Sequence, residues 1–131
     1  QAELLKEKHF DQIDLGNLIE ELEIMSARER RELISRLRVL MMHLLKWSHQ
    51  PSYRGRSWEL TIRNQRDELA IHLEDNPSLA PQIPASITKA YQLAKRDAEK
   101  ETGIPGKQFP AECPWTYEQL SDPEFWPEPA E

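Results

Sequence analysis

The residues best suited to chemistry lie in "RLRVLMMHLLKWSHQP", residues 36–51, where two arginines precede a histidine. Arg38 stands five residues before His43, and Arg36 stands seven residues before it. A histidine exchanges protons near neutral pH, and an arginine stabilises the charge that builds up on a phosphate during cleavage. One hypothesis is therefore a metal-independent ribonuclease with His43 as general acid and base and Arg36 or Arg38 as the phosphate clamp. Such a site would form where two copies of the helix meet.

The positions of these side chains around a helix separate the two arginines. Successive residues of an α-helix are turned by about 100°, so Arg38 and His43 point roughly 140° apart. Arg36 lies within roughly 20° of His43, on a face that also holds Glu29 and Glu32. The alternative hypothesis is that Glu32, Arg36 and His43 form a hydrogen-bonded polar edge on a buried core helix. We favour this second interpretation, which predicts no catalytic residue.

A basic and aromatic bend, residues 46–66, follows the end of this helix and is the second candidate site. Basic side chains interleaved with rings suit nucleic acid, because they neutralise phosphates and stack on bases. The alternative is that the rings belong to the core and the arginines pair with acidic residues near the C-terminus. The residues that we predict to contact a partner are Lys46, Trp47, Tyr53, Arg54, Arg56, Trp58, Arg63 and Arg66.

Charge is segregated along the chain in a way that bears on the partner. Residues 28–66 hold ten basic against three acidic side chains, whereas the net charge of the whole chain is −6. Either the acidic flanks fold over the basic middle and neutralise it, or the middle is a positive surface for an anionic partner. The leading prediction is a non-catalytic interaction module that uses the bend to bind another protein, a second copy of the chain or a nucleic acid.

Metal, cofactor and disulfide chemistry find little support in the sequence. Cys113 is the single cysteine, which excludes an intrachain disulfide and favours a reducing, cytoplasmic setting. Its acidic neighbour Glu112 is expected to raise the pKa of the thiol and make it a poor nucleophile. The four histidines form no ligand pair of the HExxH type, so we predict no metal site and no cofactor. No apolar run approaches the roughly 18 residues that cross a membrane, and no membrane contact is predicted.

The first half of the chain is predicted to be helical. Apolar residues recur at spacings of three and four over 15–25, which indicates one helical stripe. Ser26 and Glu29 have the form of a capping box, which predicts that the helix restarts there with a bend. The main helix is then predicted over 27–48, with Pro51 preventing further extension.

The second half is predicted to hold two more long helices and one short one. A helix over 58–76, capped by Ser57, is followed by a helix over 85–102 that stops at Gly103. Near the C-terminus, at most one helical turn is expected around "TYEQL", residues 116–120. The predicted apolar set of the 58–76 helix is Leu60, Ile62, Leu69, Ile71 and Leu73.

These elements predict an all-α bundle of four or five helices, with an irregular Pro- and Trp-rich C-terminal strap packed on it. Residues 1–131 are predicted to be one domain, and the opening "AELLKEKHF" to be the end of a helix that begins upstream. We expect the strap, from residue 109 onward, to dock on the bundle, because burying each ring is worth roughly a few kcal/mol. The docking rings are Phe109, Trp115, Tyr117, Phe125 and Trp126.

Four segments carry a family resemblance: "FDQIDLGNLIEELEIMSARERRELISRLRVLMMHLLKW", "QPSYRGRSWELTIRNQRDEL", "EDNPSL" and "GIPGKQFPAECPWTYEQLSDPEFWPE". Together they resemble DUF29, a family of small bacterial proteins that is abundant in cyanobacteria. The resemblance spans residues 10–128 and implies a helical fold with one more amphipathic segment upstream. It implies no activity and no catalytic residue.

Overall fold

The computed structural model describes residues 12–130, apart from the side chains of residues 12–14 and 22–25. Within this range the chain forms four α-helices and three short 3₁₀ turns, and no β-strand occurs there. The predicted all-α bundle is thus confirmed. The helices are α1 (Gln12–His49), α2 (Arg56–Asp75), α3 (Ile83–Thr102) and α4 (Tyr117–Ser121).

Helix α1 is a single helix of 38 residues. The predicted bend at Ser26 is wrong, since α1 runs without interruption past Ser26 and Glu29. The intervening Ala27 and Arg28 favour a helix, so a capping-box pattern inside a helical stretch does not force an end there. The helix stops at His49, two residues before Pro51, where proline excludes the helical backbone of its predecessor.

The core lies where α1 packs between α2 and α3, with α3 as its more extensive neighbour. Helix α3 presents alanines at spacings of four, and these small side chains let its backbone approach the leucines of α1 closely. Tyr91 fills the remaining space in the middle of α3 and is fully buried. The fully buried residues of α1 and α3 are Leu33, Leu37, Leu40, Met41, Leu44, Leu45, Ala90, Tyr91, Ala94 and Ala98.

The first third of α1 extends beyond the other two long helices. At about 1.5 Å per residue, α1 is roughly 57 Å long and its 20-residue neighbours roughly 30 Å. Leu15, Leu18 and Ile19 lie on this extension, and each is close to half exposed. They lie on the same side of α1 as Leu33 and Leu37, which are in the core. The apolar face of α1 therefore extends beyond the part of the helix that the bundle covers.

Helix α2 differs from its prediction at its start and on its outer side. It begins at Arg56 with Gly55 as N-cap, so Ser57 is inside the first turn and is not the cap. Ile62 and Leu69 are fully buried, one beneath the other at a spacing of seven. Leu60 and Ile71 lie on the opposite side of the helix and are exposed, which removes them from the predicted apolar set.

The strap, residues 109–130, closes the bundle by returning to all three long helices. Tyr91 of α3 donates its hydroxyl hydrogen to the carbonyl oxygen of Pro110 at 2.7 Å. At the far end, the Ser48 hydroxyl donates to the Glu128 carbonyl at 2.8 Å, and the amide of Ala130 donates to the Ser48 carbonyl at 2.9 Å. The predicted docking of the strap is confirmed by Phe109, which is buried, and by Trp115 and Trp126, which pack on the core.

The single predicted turn in the strap is α4. Thr116 is its N-cap, and its hydroxyl accepts a hydrogen bond from the amide of Gln119. The Gln119 side chain accepts one from the amide of Thr116 in return, which completes a capping box. This reciprocal cap holds a helix of five residues in place and buries Leu120 against the bundle.

Candidate functional site

The arginines and the histidine of the ribonuclease hypothesis engage different parts of the bundle. Arg38 faces α3, where its Nε and Nη2 donate to the Asp97 carboxylate at 2.5 and 2.8 Å. Arg36 faces α2, with its guanidinium 3.7 Å from Glu68 and also 3.7 Å from Glu32. His43 joins neither arginine, since its Nδ1 donates to the carbonyl oxygen of Val39 within the same helix. The predicted polar edge is therefore made by Arg36 and Glu32, without a recorded contact to His43.

The environment of His43 also bears on proton transfer. The side chain is partly buried, and burial lowers the pKa of its imidazole, with Lys46 adding to the same effect. The hydrogen bond to the Val39 carbonyl and the charge of Glu101 oppose this shift. A neutral imidazole with one nitrogen bound to its own helix has only Nε2 left for an external partner.

The Arg38–Asp97 pair makes stability depend on pH in a defined direction. The hydrogen bonds from Arg38 hold the pKa of the Asp97 carboxyl below its usual value, so the pair stabilises the fold above the unfolded-state pKa of about 3.9. That contribution is lost as the pH falls through the lower folded-state pKa. We expect Asp97→Asn to destabilise the protein by about 1 kcal/mol at pH 7, because the pair is partly exposed. Urea denaturation at pH 7 and pH 3 measures the change.

A matched control for this prediction is Asp75→Asn, which removes an exposed carboxylate at the end of α2. The free-energy difference between wild type and Asp97→Asn should shrink toward pH 3, while Asp75→Asn should stay close to wild type at both pH values. A difference for Asp97→Asn that is the same at both pH values would contradict the ion-pair account.

The first part of the basic and aromatic bend is bound to its own chain. Lys46 is 8% exposed, and its ammonium donates to Glu101 of α3 at 2.7 Å and lies 4.7 Å from the centre of the Trp58 ring. Arg54 donates from Nε to the carbonyl of Trp47 at 2.8 Å and stacks on the ring of the same residue. The junction between α1 and α2 is thus stabilised by two charged side chains, Lys46 and Arg54, and by two rings, Trp47 and Trp58.

The last part of the bend holds the strap. Arg66 is 3% exposed, and its Nε donates to the carbonyl of Leu120 at 2.9 Å. Arg63 is exposed and pairs with Glu59 at 3.0 Å. Both guanidinium groups lie over the ring of Trp126, at 5.5 and 5.6 Å from its centre. That ring also lies 4.5 Å from the ring of Trp47, centre to centre, so a cluster of rings and cations holds the strap in place.

What remains accessible in the bend is Tyr53, Arg56 and Arg63. Tyr53 is 68% exposed, the largest value among the exposed large hydrophobic side chains of the described residues. Arg56 stands at the start of α2, and no recorded ion pair joins it to another described residue. Further along the same side of α2 lie the exposed Leu60 and Ile71. The structure therefore brings two arginines and two aliphatic side chains together on one side of α2, and Tyr53 is exposed in the turn that precedes this helix.

A second group was not predicted from the sequence. Glu29 and Glu32, one turn apart on α1, meet His72 of α2, and one ligand atom from each lies within 4.8 Å of the other two. His72 is 6% exposed and its Nε2 lies 2.8 Å from the carbonyl oxygen of Glu29. The sequence signal was the Glu-x-x-Glu spacing, but the third member is supplied by a helix that is 40 residues away along the chain.

The family model for the domain of unknown function DUF29 matches residues 1–126. The chain belongs to the DUF29 family. The resemblance noted in the sequence is thereby confirmed over nearly the whole chain. Comparisons with curated proteins and with solved structures find no significant match.

One cleft of this DUF29 protein is mainly apolar. It has a volume of about 520 Å³ and lies between the end of α1 and the strap, lined by Leu45, Phe109 and Trp115 among others. Four polar side chains line it: Ser48, His49, Gln108 and Glu128. Ser48 donates to the strap, and His49 uses Nδ1 on the carbonyl of Leu45, so two of the four are bound to groups of the protein itself.

The cysteine of the DUF29 chain is shielded within its strap. Burial raises the pKa of the Cys113 thiol, which corrects the predicted cause, since the neighbouring Glu112 was expected to act. The sulfur lies 3.4 Å from the carbonyl of Trp115 and 3.7 Å from the sulfur of Met41. Among the residues described, no helix of the DUF29 protein combines the length and the apolar character that crossing a membrane requires.

Proposed function

We propose that this DUF29 protein is a helical interaction module whose partner is a second copy of the same chain. The two copies would meet through the outer face of α2. This face includes Arg56 and Arg63, the exposed arginines of the basic and aromatic bend. The outer face is defined by six exposed side chains: Arg56, Leu60, Arg63, Asp67, Ile71 and Glu74.

The proposal rests on the order of these six side chains along α2. They recur at spacings of three and four, so they share one side of α2. The N-terminal half of the face is basic, with Arg56 and Arg63, and the C-terminal half is acidic, with Asp67 and Glu74. An aliphatic side chain, Leu60 or Ile71, stands in each half. In a second α2 that runs in the opposite direction, the acidic positions therefore lie opposite the basic positions of the first.

Such a face is complementary to itself when two helices run antiparallel. A twofold axis near residue 65 would oppose Arg56 to Glu74 of the second copy and Arg63 to Asp67 of the second copy. It would also bring Leu60 beside Ile71 of the second copy. An isologous twofold contact of this kind closes on itself and gives a dimer. Its specificity comes from pairing opposite charges around a small apolar centre.

The expected association is weak. Leu60 and Ile71 are each about half exposed, so burying the rest of each side chain contributes roughly 1 kcal/mol. Tyr53 is exposed in the turn just before α2 and would add a ring, a residue type that is enriched in interfaces. The flanking ion pairs would be exposed to salt, so the dimer should dissociate more readily at high ionic strength.

Two complementary double variants test this arrangement. Arg56→Glu with Arg63→Glu makes the outer face wholly acidic, and Asp67→Arg with Glu74→Arg makes it wholly basic. We expect sedimentation equilibrium to show a wild-type dimer that weakens with salt, and each double variant alone to be monomeric. Mixed in equal amounts, the two variants should associate, because each opposes the charges of the other.

The matched control is Lys89→Glu with Arg96→Glu, two exposed basic residues of α3 that are also seven apart. This pair changes the net charge equally and should leave the dimer intact. A wild type that stays monomeric at every concentration, or a mixture of variants that does not associate, would refute the proposal.

The nucleic-acid and ribonuclease alternatives remain predictions. Three of the predicted cations, Lys46, Arg54 and Arg66, already bind groups of their own chain. A fluorescent RNA that bound wild type but not the acidic double variant would favour nucleic acid over self-association. RNA cleavage that is present in the wild type and absent in His43→Ala would support the ribonuclease hypothesis.

A further inference from the structure

The group formed by Glu29, Glu32 and His72 links α1 to α2 at the end of the bundle away from the bend. The two glutamates are on α1, and the histidine enters from α2. His72 is 6% exposed, whereas the side chain of Glu32 is 47% exposed. The group is thus closed on the side of the histidine and open to solvent on the side of Glu32.

The hydrogen bond of the His72 ring fixes which nitrogen carries the proton. A carbonyl oxygen only accepts, so the Nε2 atom, 2.8 Å from the Glu29 carbonyl, must be the donor. In the neutral ring Nδ1 then holds a lone pair that is directed toward the two carboxylates. Metal-binding histidines are oriented in this way, with the other ring nitrogen donating to a backbone carbonyl.

The lone pair of Nδ1 has little protein hydrogen bonding. The amide nitrogen of Asn76 lies 3.5 Å away, at the limit for a hydrogen bond, and also donates to the His72 carbonyl at 2.9 Å. The nearest other groups are negatively charged oxygens, Oε2 of Glu32 and Oε2 of Glu29. A positive charge placed between this lone pair and the two carboxylates would be attracted by all three groups.

The distances favour a metal ion over a proton as that charge. Nδ1 lies 3.5 Å from the Glu32 oxygen and 3.8 Å from the Glu29 oxygen, which is too long for a charged hydrogen bond of about 2.7–2.9 Å. Donor atoms that each lie about 2.0–2.2 Å from a tetrahedral zinc ion are separated by roughly 3.3–3.6 Å. The distance from Nδ1 to Glu32 falls in this range, the distance to Glu29 exceeds it slightly, and the three ligand atoms lie within 4.8 Å of one another. A small movement of the glutamate side chains would bring all three atoms to one ion.

We propose that Glu29, Glu32 and His72 bind a zinc ion that joins α1 to α2. One imidazole nitrogen with two carboxylate oxygens suits zinc, whereas magnesium prefers an all-oxygen octahedron. Water would complete the tetrahedron on the open side, beside Glu32. This site does not depend on self-association, since it shares no residue with the outer face of α2.

The surroundings limit the affinity of the site. The guanidinium of Arg36 lies 3.7 Å from the same Glu32 oxygen that would bind the ion, and its charge opposes a cation there. Glu68 draws Arg36 in the other direction, also at 3.7 Å. Neutralising Glu68 thus offers a matched control, because it removes a nearby negative charge without removing a ligand.

The test is a titration of the chelator-treated full chain with zinc chloride by isothermal calorimetry. We expect one zinc per chain in the wild type and a loss of affinity of at least about tenfold in Glu32→Gln. Glu68→Gln should change the affinity less than threefold. Because the variants Glu29→Gln and Glu32→Gln alter partly exposed side chains, they avoid the folding risk of replacing the buried His72.

Thermal unfolding provides a second measurement. Zinc that binds only the folded state should raise the Tm of wild type and of Glu68→Gln, but not that of the Glu29→Gln, Glu32→Gln double variant. Magnesium at the same concentration should have no effect. Absence of zinc binding would overturn the proposal, and so would equal binding by wild type and the double variant, which would place the ion elsewhere.

Discussion

Trp126→Ala is expected to reduce the free energy of unfolding by about 3 kcal/mol, the lower end of the range for truncating a core aromatic side chain, because the indole is partly buried. The indole is in contact with the Trp47 ring at 4.5 Å between centres, and the cations of Arg63 and Arg66 lie over it. Its removal leaves a cavity between α1, α2 and the strap, and deprives both arginines of their ring. No other side chain of the strap is in contact with as many cations among the described residues.

Urea denaturation followed by circular dichroism measures this effect. Tyr53→Ala is the control, since it removes another ring near the bend that is 68% exposed. Tyr53→Ala should stay within about 0.5 kcal/mol of wild type, as is usual for surface positions. Equal losses for the two variants would mean that Trp126 is not part of the core.

The second large effect is expected from Arg66→Met, compared with Arg63→Met. Both arginines lie over the Trp126 ring at nearly the same distance, but only Arg66 is buried and donates to strap carbonyls. Methionine keeps the aliphatic volume and removes the donors, so the Leu120 carbonyl loses its partner. We expect a loss of about 2–3 kcal/mol for Arg66→Met, the range for hydrogen bonds of charged groups together with a buried carbonyl left unpaired.

Arg63→Met should cost no more than about 1 kcal/mol, because its ion pair with Glu59 is exposed. Chemical denaturation of the two variants under identical conditions gives the comparison. If Arg66→Met matched Arg63→Met, the contact of Arg66 with the strap would contribute little, and its charge would be available to a partner.

The long helices and the C-terminal ends of α1 and α3 could be predicted from local sequence, whereas the N-cap of α2 and the continuity of α1 past Ser26 could not. Pro51 and Gly103 stop α1 and α3 where expected, and Gly103 has the positive φ of 75° that an L side chain rarely adopts. The turn at Thr116 has a capping box that spans only four residues, from Thr116 to Gln119. Each of these features is decided by neighbours in the chain, so one sequence is sufficient to predict it.

Features that depend on distant residues could not be read in this way. Leu60 and Ile71 were assigned to the core by residue type, yet the strap and α1 cover the other side of α2. The role of Arg66 depends on carbonyl oxygens 53 and 54 residues away, which have no sequence signature. The group of Glu29, Glu32 and His72 likewise exists only because α2 packs beside α1.

The strap determines when, during synthesis, the molecule can complete its fold. The amide of Ala130 closes on Ser48, which lies near the middle of the chain, and the acceptors of Arg66 lie at residues 119 and 120. Closing so long a loop costs conformational entropy, and this cost is offset only when all of these contacts have formed. On the ribosome, α1, α2 and α3 emerge before the residues that cover them. A nascent chain that ends before Gln119 therefore lacks both carbonyl partners of Arg66 and also lacks Trp126, the ring that packs on Trp47.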